Sequence, residues 1–548
     1  MLTRVPIVLI AALVCGVLAA APAAGVPGQT PKRGGTIVVG RPAEVEPSCL
    51  NPFSCTNWDI GDPALTEVLE GAFEFGPDLV PRPDLVTDVT PGRNPPSLTY
   101  HVRPEARWSD GTPVTARDFQ FTQNVFARYL EDPDGLYRNV LRTRVLDAKT
   151  FRVELRQRFA QWRDLYSMIL PRHALEGEDV TKVWRDSVDN PKTGQPIGNG
   201  PFLISRLERG KQITLVRNPH YWGPHLAYLD RVVQRFADVD RDDPLAPFRE
   251  NKVDVAFTLG STAPLSAGDA GAIRELAGWR TRAWPATFME HFMFRVSSGG
   301  HPALSSKLVR RALAYGIDRV AIAREILRDA PASSRLPLDS TVFLPTEPFY
   351  QPTWRRYRYD PARARSLLEQ AGCRRDSGGV YACGGERLRL RFVTTAGNPT
   401  RERVLALAAA QLRQVGVEVD QQFAPFRVLF EQILPGGDFD AALFSWGGSF
   451  GGKFVMPDVL CGQDENWSGY CSRLVTRDAQ QNLFGDPAAR ARVLNHLDAK
   501  VASAAPVLPV VQPIIRVAYR TNVRGLRFGG SHFEVQQDME NWWLAPER

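Results

Sequence analysis

Residues 439 to 451 read FDAALFSWGGSFG, and the last five fit the pattern G-x-S-x-G around Ser449. That pattern can mark a serine nucleophile, which sits on a strained turn between a strand and a helix. A serine hydrolase also needs a general base, and two histidines, His496 and His532, lie downstream. Acyl transfer at Ser449 is therefore one chemistry that this stretch suggests.

The residues around Ser449 favour a different role. Four glycines flank Ser449 and Phe450, and Pro457 follows, which is a poor start for the helix that a nucleophile elbow needs. Glycine lets the backbone approach a ligand closely. His496 lies in a helical pattern and His532 near the C-terminus, so the sequence brings neither to Ser449. We interpret the segment as a ligand-binding loop, with no catalytic residue, and keep the serine hydrolase as the alternative.

The N-terminus is typical of an exported protein. It has one arginine, an apolar run from Val5 to Ala21 and then small residues, which is the layout of a signal peptide. We place the signal peptide at residues 1–23 and a polar linker at residues 24–33. Acylation of Cys15 is the alternative, and it would anchor the protein to a membrane surface. Either way, we expect an extracytoplasmic protein, in a periplasm or at the outer face of a membrane.

Cysteine usage agrees with export. An even number of cysteines in an oxidising compartment indicates disulfides, and CRRDSGGVYAC is typical of a hairpin whose ends meet. A metal site would need closer cysteine spacing or a histidine cluster, so we expect no metal and no cofactor. Other connectivities remain open, but we predict three local pairs: Cys49 with Cys55, Cys373 with Cys383, and Cys461 with Cys471.

Length, composition and charge indicate the general class of protein. The chain has 548 residues, of which 43% are hydrophobic and 23% charged, with a formal net charge of +7. At roughly 150 residues per domain, this length predicts about three or four domains or subdomains. Basic and acidic residues are interleaved rather than gathered in the blocks typical of nucleic-acid tails. We therefore expect a globular protein with no nucleic-acid partner.

Capping residues predict where several helices begin and end. In YDPARARSLLEQAG, Asp360 is the expected N-cap, Pro361 the first helical residue and Gly372 the stop. TRERVLALAAAQLRQVG predicts a helix that ends at Gly416, and the strand VEVDQQF follows it. FDAALFSW predicts a strand buried on both faces. Helices alternating with such strands predict an α/β fold.

Seven motifs in a fixed order resemble those of the family 5 extracellular solute-binding proteins. These are the peptide-, dipeptide- and nickel-binding receptors of ABC importers. The resemblance covers the chain from about Gly34 to Trp543, and it is carried by YHVRPEARWSDGTPVTARDFQFT, PIGNGPFLISRLERGKQITLVRNPHYW, VRRALAYGIDRVAIAREIL, YDPARARSLLEQAG, QLRQVGVEVD, FDAALFSW and AAPVLPVVQP.

The resemblance implies a two-lobed periplasmic-binding-protein-like fold of class II, with the ligand cleft between the lobes. Lobe I would comprise residues 34–285 and the returning segment 513–548, and lobe II residues 286–512. An extra subdomain of lobe I is expected at about residues 67–194. Such lobes close on a ligand around a hinge.

The resemblance also implies where the ligand lies. Peptide receptors of the family carry a tryptophan at the end of this strand and, three residues later, an aspartate for the peptide's amino terminus. Trp446 matches the tryptophan, but Ser449 stands at the aspartate position, which puts peptide specificity in doubt. Either Glu290 supplies the carboxylate, or the ligand has no α-amine. The complete expected pocket is Trp446, Gly447, Gly448, Ser449 and Phe450 from lobe II, Trp58 from lobe I, and Phe288, Glu290 and His291 at the hinge.

The function that follows is that of a receptor that captures a peptide or peptide-like small solute and delivers it to ABC permease subunits. We expect a monomer. Besides the serine hydrolase, a chaperone, sensor or adhesin role on the same fold remains open.

Overall fold

The computed structural model describes residues 30–42, 46–47, 49–53, 63–75, 80–129, 136–157, 162–237, 243, 245–257, 265, 267–327, 330, 336–447, 456–463, 465–482, 487–529 and 538–546. Several predicted features lie outside these residues: the signal peptide, most of the linker, Cys15, Cys55, Trp58, Gly448, Ser449 and Phe450.

The described part of the chain contains both strands and helices, and several strands follow one another directly. The strands are β1 (Thr36–Pro42), β2 (Phe73–Phe75), β3 (Pro81–Pro83), β4 (Val86–Gly92), β5 (Ser97–Val102), β6 (Val140–Val145), β7 (Thr150–Leu155), β8 (Phe202–Glu208), β9 (Gln212–Arg217), β10 (Arg231–Ala237), β11 (Val255–Phe257), β12 (Trp279–Pro285), β13 (Phe288–Phe294), β14 (Arg374–Arg375), β15 (Tyr381–Cys383), β16 (Glu386–Arg387), β17 (Arg389–Thr395), β18 (Glu418–Ala424), β19 (Ala441–Gly447), β20 (Val507–Val511), β21 (Ile514–Arg520), β22 (Val523–Arg524) and β23 (Trp543–Leu544).

The helices are α1 (Pro63–Thr66), α2 (Ala116–Tyr129), α3 (Arg172–Leu175), α4 (Ala246–Arg249), α5 (Ala267–Glu275), α6 (Lys307–Gly316), α7 (Arg319–Ile326), α8 (Pro361–Gln370), α9 (Pro399–Gln414), α10 (Phe426–Val428), α11 (Leu434–Gly436), α12 (Met456–Val459), α13 (Arg473–Asn482) and α14 (Pro487–Ala504). A π-helical turn (Leu429–Ile433) joins α10 to α11.

Two large sheets organise the fold. One has seven strands in the order β12-β21-β11-β1-β10-β9-β8, and the other has five in the order β18-β17-β19-β13-β20. A four-stranded sheet, β4-β5-β7-β6, lies within the stretch predicted as an extra subdomain. The structure is thus the mixed α/β fold that the sequence predicts.

The chain changes sheets twice. It leaves the seven-stranded sheet at Pro285 and enters the five-stranded sheet at Phe288. It leaves that sheet at Val511 and returns at Ile514. We call these two connections the crossings. They support a division into two lobes near residues 285 and 512, although the exact lobe boundaries stay a prediction.

Each large sheet has its own hydrophobic core. Phe292 and Phe392 are fully buried in the core of the five-stranded sheet, and Trp108 and Tyr100 in the core beside the seven-stranded sheet. Burying one such side chain stabilises the fold by about 1.5–3 kcal/mol. Each large sheet is therefore stabilised by a core of its own.

Helix α8 begins, and helices α8 and α9 end, at the capping residues that the sequence predicts. Asp360 accepts a hydrogen bond from the backbone N–H of Arg363 at 2.9 Å, and α8 starts at Pro361. Gly372 follows α8 with φ at +81°, and Gly416 follows α9 with φ at +85°, the left-handed conformation that glycine adopts without strain. These helix boundaries are confirmed.

Two of the predicted disulfides are also confirmed, Cys373–Cys383 and Cys461–Cys471. The first closes the predicted hairpin, in which β14 pairs with β15. Cys49 is disulfide-bonded as well, and Cys55, its predicted partner, lies outside the described residues. Within the described ranges, no helix combines the length and apolarity needed to cross a bilayer.

Candidate functional site

The candidate site lies at one edge of the five-stranded sheet. Strands β17 and β19 are parallel and end at this edge, at Thr395 and Gly447. Strand β13 is antiparallel to β19, so it begins at the same edge, at Phe288. In open α/β sheets, ligands bind outside the carboxyl ends of the strands. Both crossings meet this edge, because β20 is antiparallel to β13 and ends there.

Strand register divides the expected site residues between two faces of the sheet. Met289 lies opposite Trp446, Glu290 opposite Ser445 and His291 opposite Phe444. Side chains alternate along a strand, and opposite residues of an antiparallel pair share a face. Glu290 therefore lies on one face with Ser445, whereas His291 lies on the other face with Trp446.

On the first face, Glu290 belongs to a buried ion pair. Arg401 donates from Nε to Glu290 Oε1 at 2.7 Å and from Nη2 to Oε2 at 3.4 Å. Ser445 Oγ donates to the same Oε2, and Arg401 Nη1 donates to Thr395 Oγ1 at 3.0 Å. Glu290 is 5% exposed and Arg401 is 2% exposed. The carboxylate of Glu290 is thus neutralised by a group within the protein.

Helix α9 positions Arg401. Asn398 is the N-cap, and its side chain accepts a hydrogen bond from the backbone N–H of Arg401 at 3.0 Å. The helix follows directly after β17, so its first turn stands over the carboxyl end of that strand. Local capping chemistry therefore delivers the guanidinium to Glu290 on β13.

On the second face, Trp446 is fixed by a buried carboxylate. Trp446 Nε1 donates to Asp458 Oδ2 at 2.9 Å, and His291 Nε2 lies 2.9 Å from the same oxygen. The ring of Trp446 stacks on Trp467, with centroids 5.8 Å apart and planes inclined at 18°. Asp458 and His291 have no exposed surface, while Trp446 is half-buried. One ring therefore remains partly open at the edge.

Burial is the main influence on the pKa of the Asp458 carboxyl. It raises the pKa of the carboxyl above its ordinary value, although hydrogen bonds from His291 and Trp446 oppose that rise. The second oxygen, Oδ1, has no hydrogen-bond partner among the described residues. The neighbouring residues 448–455 lie outside the described part of the chain.

Gly447 ends β19 and is exposed. A Cβ atom added there would lie 2.9 Å from the Phe288 ring carbon Cε1, a separation too short for carbon atoms. Glycine thus lets the strand end lie directly against Phe288. It also leaves the backbone of this position open to a ligand.

The structure places the expected site residues that it describes on the paired strands β13 and β19: Trp446, Gly447, Phe288, Glu290 and His291. Glu290 and His291 are buried on opposite faces of the sheet, so these residues do not form one pocket. Sequence analysis missed Arg401, Ser445, Asp458 and Trp467. Arg401 is one of two basic residues in the first turn of a predicted helix, with Arg403, so the sequence did not single it out. Asp458 and Trp467 had no local signal, because they reach Trp446 only through the tertiary fold.

Other clusters are structural. Trp222 Nε1 donates to the Asn199 carbonyl at 2.9 Å, and Tyr221 donates its hydroxyl to Glu70 at 2.7 Å. These contacts give Tyr221 and Trp222 a packing role. Within the described residues, no three His, Cys, Asp or Glu side chains are grouped closely enough to hold a metal ion.

Comparisons with known proteins agree with this architecture. The family model for bacterial extracellular solute-binding proteins, family 5 (middle), matches residues 80–467. The chain is 28% identical over 469 residues to the oligopeptide-binding protein OppA of Mycobacterium tuberculosis, covering 83% of this chain and 76% of that protein.

Two solved structures share the fold over nearly the whole chain. The periplasmic EDTA-binding protein EppA has a TM-score of 0.83 at 19% identity, over 95% of this chain and 98% of its own. The oligopeptide-binding protein AppA of Bacillus subtilis, in complex with a nonapeptide, has a TM-score of 0.75 at 20% identity, over 94% and 100%.

The serine hydrolase alternative gains no support from these relatives, which are binding proteins. The family match spans most of the chain and includes the strands and helices that build the sheet edge. The protein belongs to family 5 of the bacterial extracellular solute-binding proteins.

Proposed function

We propose that this protein captures a peptide or peptide-like small solute outside the cytoplasm and delivers it to the permease of an ABC importer. The observation that carries the proposal is the half-buried Trp446, held at the sheet edge beside both crossings. The names of OppA and AppA, which are oligopeptide-binding proteins, support a peptide-like ligand.

The two partly open features of the edge suit such a ligand. Trp446 offers a flat apolar surface whose orientation is fixed by Asp458 and by stacking on Trp467. Gly447 offers backbone groups without a side chain in the way. Closure of lobe I over this edge would bury the ligand, because clefts between lobes are common ligand sites.

The charges of the edge favour a ligand without a free α-amine at this position. A buried ammonium needs a carboxylate partner. The carboxylate of Glu290 is already paired with Arg401, and that of Asp458 is buried beneath Trp446 and His291. The remaining candidate position in the loop carries a serine, Ser449, which supplies no charge. An N-terminally blocked peptide or a neutral solute fits this arrangement better than a peptide with a free amino terminus.

The direct test is native mass spectrometry of the mature protein, purified gently from a rich medium, before and after mild denaturation. We expect the release of a small molecule. Isothermal titration calorimetry with one tetrapeptide in acetylated and free-amine forms then tests its chemistry. The acetylated form should bind at least as tightly, and about tenfold tighter binding of the free amine would overturn this assignment.

Variants connect the binding to the sheet edge. Trp446→Ala should weaken affinity by about tenfold, because an aromatic contact and its buried area are lost. Trp162→Ala is the matched control, because Trp162 packs against Phe73 in the other core and should leave affinity unchanged. Unaltered affinity in Trp446→Ala would place the ligand elsewhere.

We also propose that the protein is a monomer without catalytic activity, exported by its signal peptide. Intact-mass measurement should show a mature chain that starts near Ala24, whereas an acylated Cys15 at the N-terminus would contradict that start. A fluorophosphonate probe should leave Ser449 unlabelled. Size-exclusion chromatography with light scattering measures the oligomeric state.

A further inference from the structure

A cavity of about 620 Å³ lies beside the crossings, and its lining includes no residue of β19. We call it the hinge-side cavity. Its walls come from both crossings (Pro285 and Gln512), the start of α7, residues 336–339, 345–346 and 350, and residues 355 and 357–359. Its volume lies in the range of about 300–1,000 Å³ that is typical of small-molecule sites.

The crossings form a joined wall of this cavity. Gln512 Nε2 donates to the carbonyl oxygen of Ala286 at 2.7 Å, which links the second crossing to the first. The backbone N–H of Ala286 donates in turn to the carbonyl oxygen of Pro513 at 2.8 Å. A molecule in the cavity would therefore touch both connections between the sheets at once.

The carboxylates of the cavity are already engaged by the protein. Asp318 is the N-cap of α7 and accepts from the backbone N–H of Ala321 at 2.9 Å. Asp339 accepts from Arg319 Nη2 at 2.9 Å and lies 3.7 Å from Arg355. Arg319 is 4% exposed and also donates to the carbonyl oxygen of Leu338. The charge of Asp339 is thus compensated by Arg319, whereas Asp318 is held by a backbone N–H at the helix start.

One arginine side chain and several apolar side chains of the cavity are exposed and available to a ligand. Arg358 is exposed and forms no ion pair with any described residue. Leu336 is 63% exposed and Val320 is 37% exposed, and both line the cavity. The ring of Tyr350 adds an aromatic surface. Apolar side chains that line a cavity give a ligand contact area, and a guanidinium pairs with planar anions and stacks on aromatic rings.

We propose that the hinge-side cavity is a binding site for a small aromatic anion, such as an aromatic carboxylate or sulfonate. Arg358 binds the acidic group, and the apolar rim at Leu336 and Val320 covers the ring. This site is separate from the one proposed for the transported solute, since none of its lining residues belongs to β19 or α9.

The experiment is a fluorescence titration of the full-length mature protein with 8-anilinonaphthalene-1-sulfonate, an aromatic anion. We expect a single saturable site whose Kd rises about tenfold in Arg358→Glu, because a charge-assisted hydrogen bond is lost. Arg356→Glu is the matched control, since this exposed neighbour does not line the cavity, and its Kd should stay unchanged. Leu336→Asp should weaken binding as well.

Two further measurements separate this site from the sheet edge. Trp446→Ala should leave the Kd of the probe unchanged, even where it abolishes solute binding. N-phenyl-1-naphthylamine, which lacks the sulfonate, should bind wild type and Arg358→Glu equally. The proposal is overturned if Arg358→Glu and Leu336→Asp both keep the wild-type Kd, or if Trp446→Ala alone abolishes probe binding. Circular dichroism checks that each variant is folded.

Discussion

The buried pair of Glu290 and Arg401 gives the sharpest prediction for stability. The two side chains are 6% and 2% exposed, and their closest atoms are 2.7 Å apart. Two charges about 4 Å apart attract by about 4 kcal/mol at an effective dielectric constant of about 20. Removing one partner leaves the other charge buried and uncompensated. We therefore expect Glu290→Gln to lower the free energy of unfolding by about 3–5 kcal/mol.

The pair is best measured in a double-mutant cycle. Arg401→Met should also lower the free energy of unfolding. The double variant should lose much less of this free energy than the two single variants together, because no unpaired buried charge remains. Urea unfolding followed by circular dichroism gives each free energy. We expect an interaction energy of about 2 kcal/mol or more.

A surface ion pair between α9 and α7 is the control. Arg403 Nη2 lies 3.0 Å from Glu325 Oε1, with side chains 55% and 43% exposed. Exposed pairs contribute about 0–1 kcal/mol, so Glu325→Gln should change little. The inference of a coupled buried pair is refuted if Glu290→Gln lowers the free energy of unfolding no more than Glu325→Gln does. It is also refuted if the effects of the Glu290 and Arg401 substitutions on that free energy are additive.

Three further predictions concern binding, pH and the disulfides. Asp458→Ala should weaken solute binding about tenfold, because it removes the hydrogen bond that holds the indole of Trp446. In a Trp446→Phe variant, which lacks the indole N–H, the same substitution should not weaken binding further. Isothermal titration calorimetry with and without Trp446→Phe measures both affinities. Burial raises the pKa of Asp538 to about 7, so the folded protein keeps a proton that the unfolded chain loses above about pH 4. The free energy of unfolding should therefore fall as pH rises from about 4 through 7, and Asp538→Asn should flatten this trend in thermal unfolding scans. Loss of the Cys373–Cys383 bridge, with 10 residues of sequence separation, should cost about 3 kcal/mol, and an unchanged urea midpoint in the double serine variant would contradict this value.

Local features of the fold were predictable from sequence because their causes are local. Asp360 and Gly372 delimit a helix through hydrogen bonds and a positive φ within a few residues. The hairpin disulfide needs only a short turn. The buried strand ending at Trp446 was predicted from its run of apolar residues.

The arrangement of the site was not predictable because its contacts are distant in sequence. Arg401 lies 111 residues from Glu290, and Asp458 lies 167 residues from His291. Which face Glu290 occupies depends on the register of β13 against β19, and a shift of one residue would exchange the two faces. Sequence reasoning offered Glu290 as a partner for a ligand, whereas the structure pairs it with Arg401.

The crossings constrain how the two lobes can move. Each contains a proline next to the change of sheet, Pro285 or Pro513, which fixes one backbone dihedral. Two hydrogen bonds join the crossings through Ala286. Bending one crossing alone would break these bonds at the edge of a small apolar cluster that includes Phe288. We therefore expect closure on a ligand at Trp446 to bend both crossings together, with the lobes rotating about an axis that passes through the two crossings.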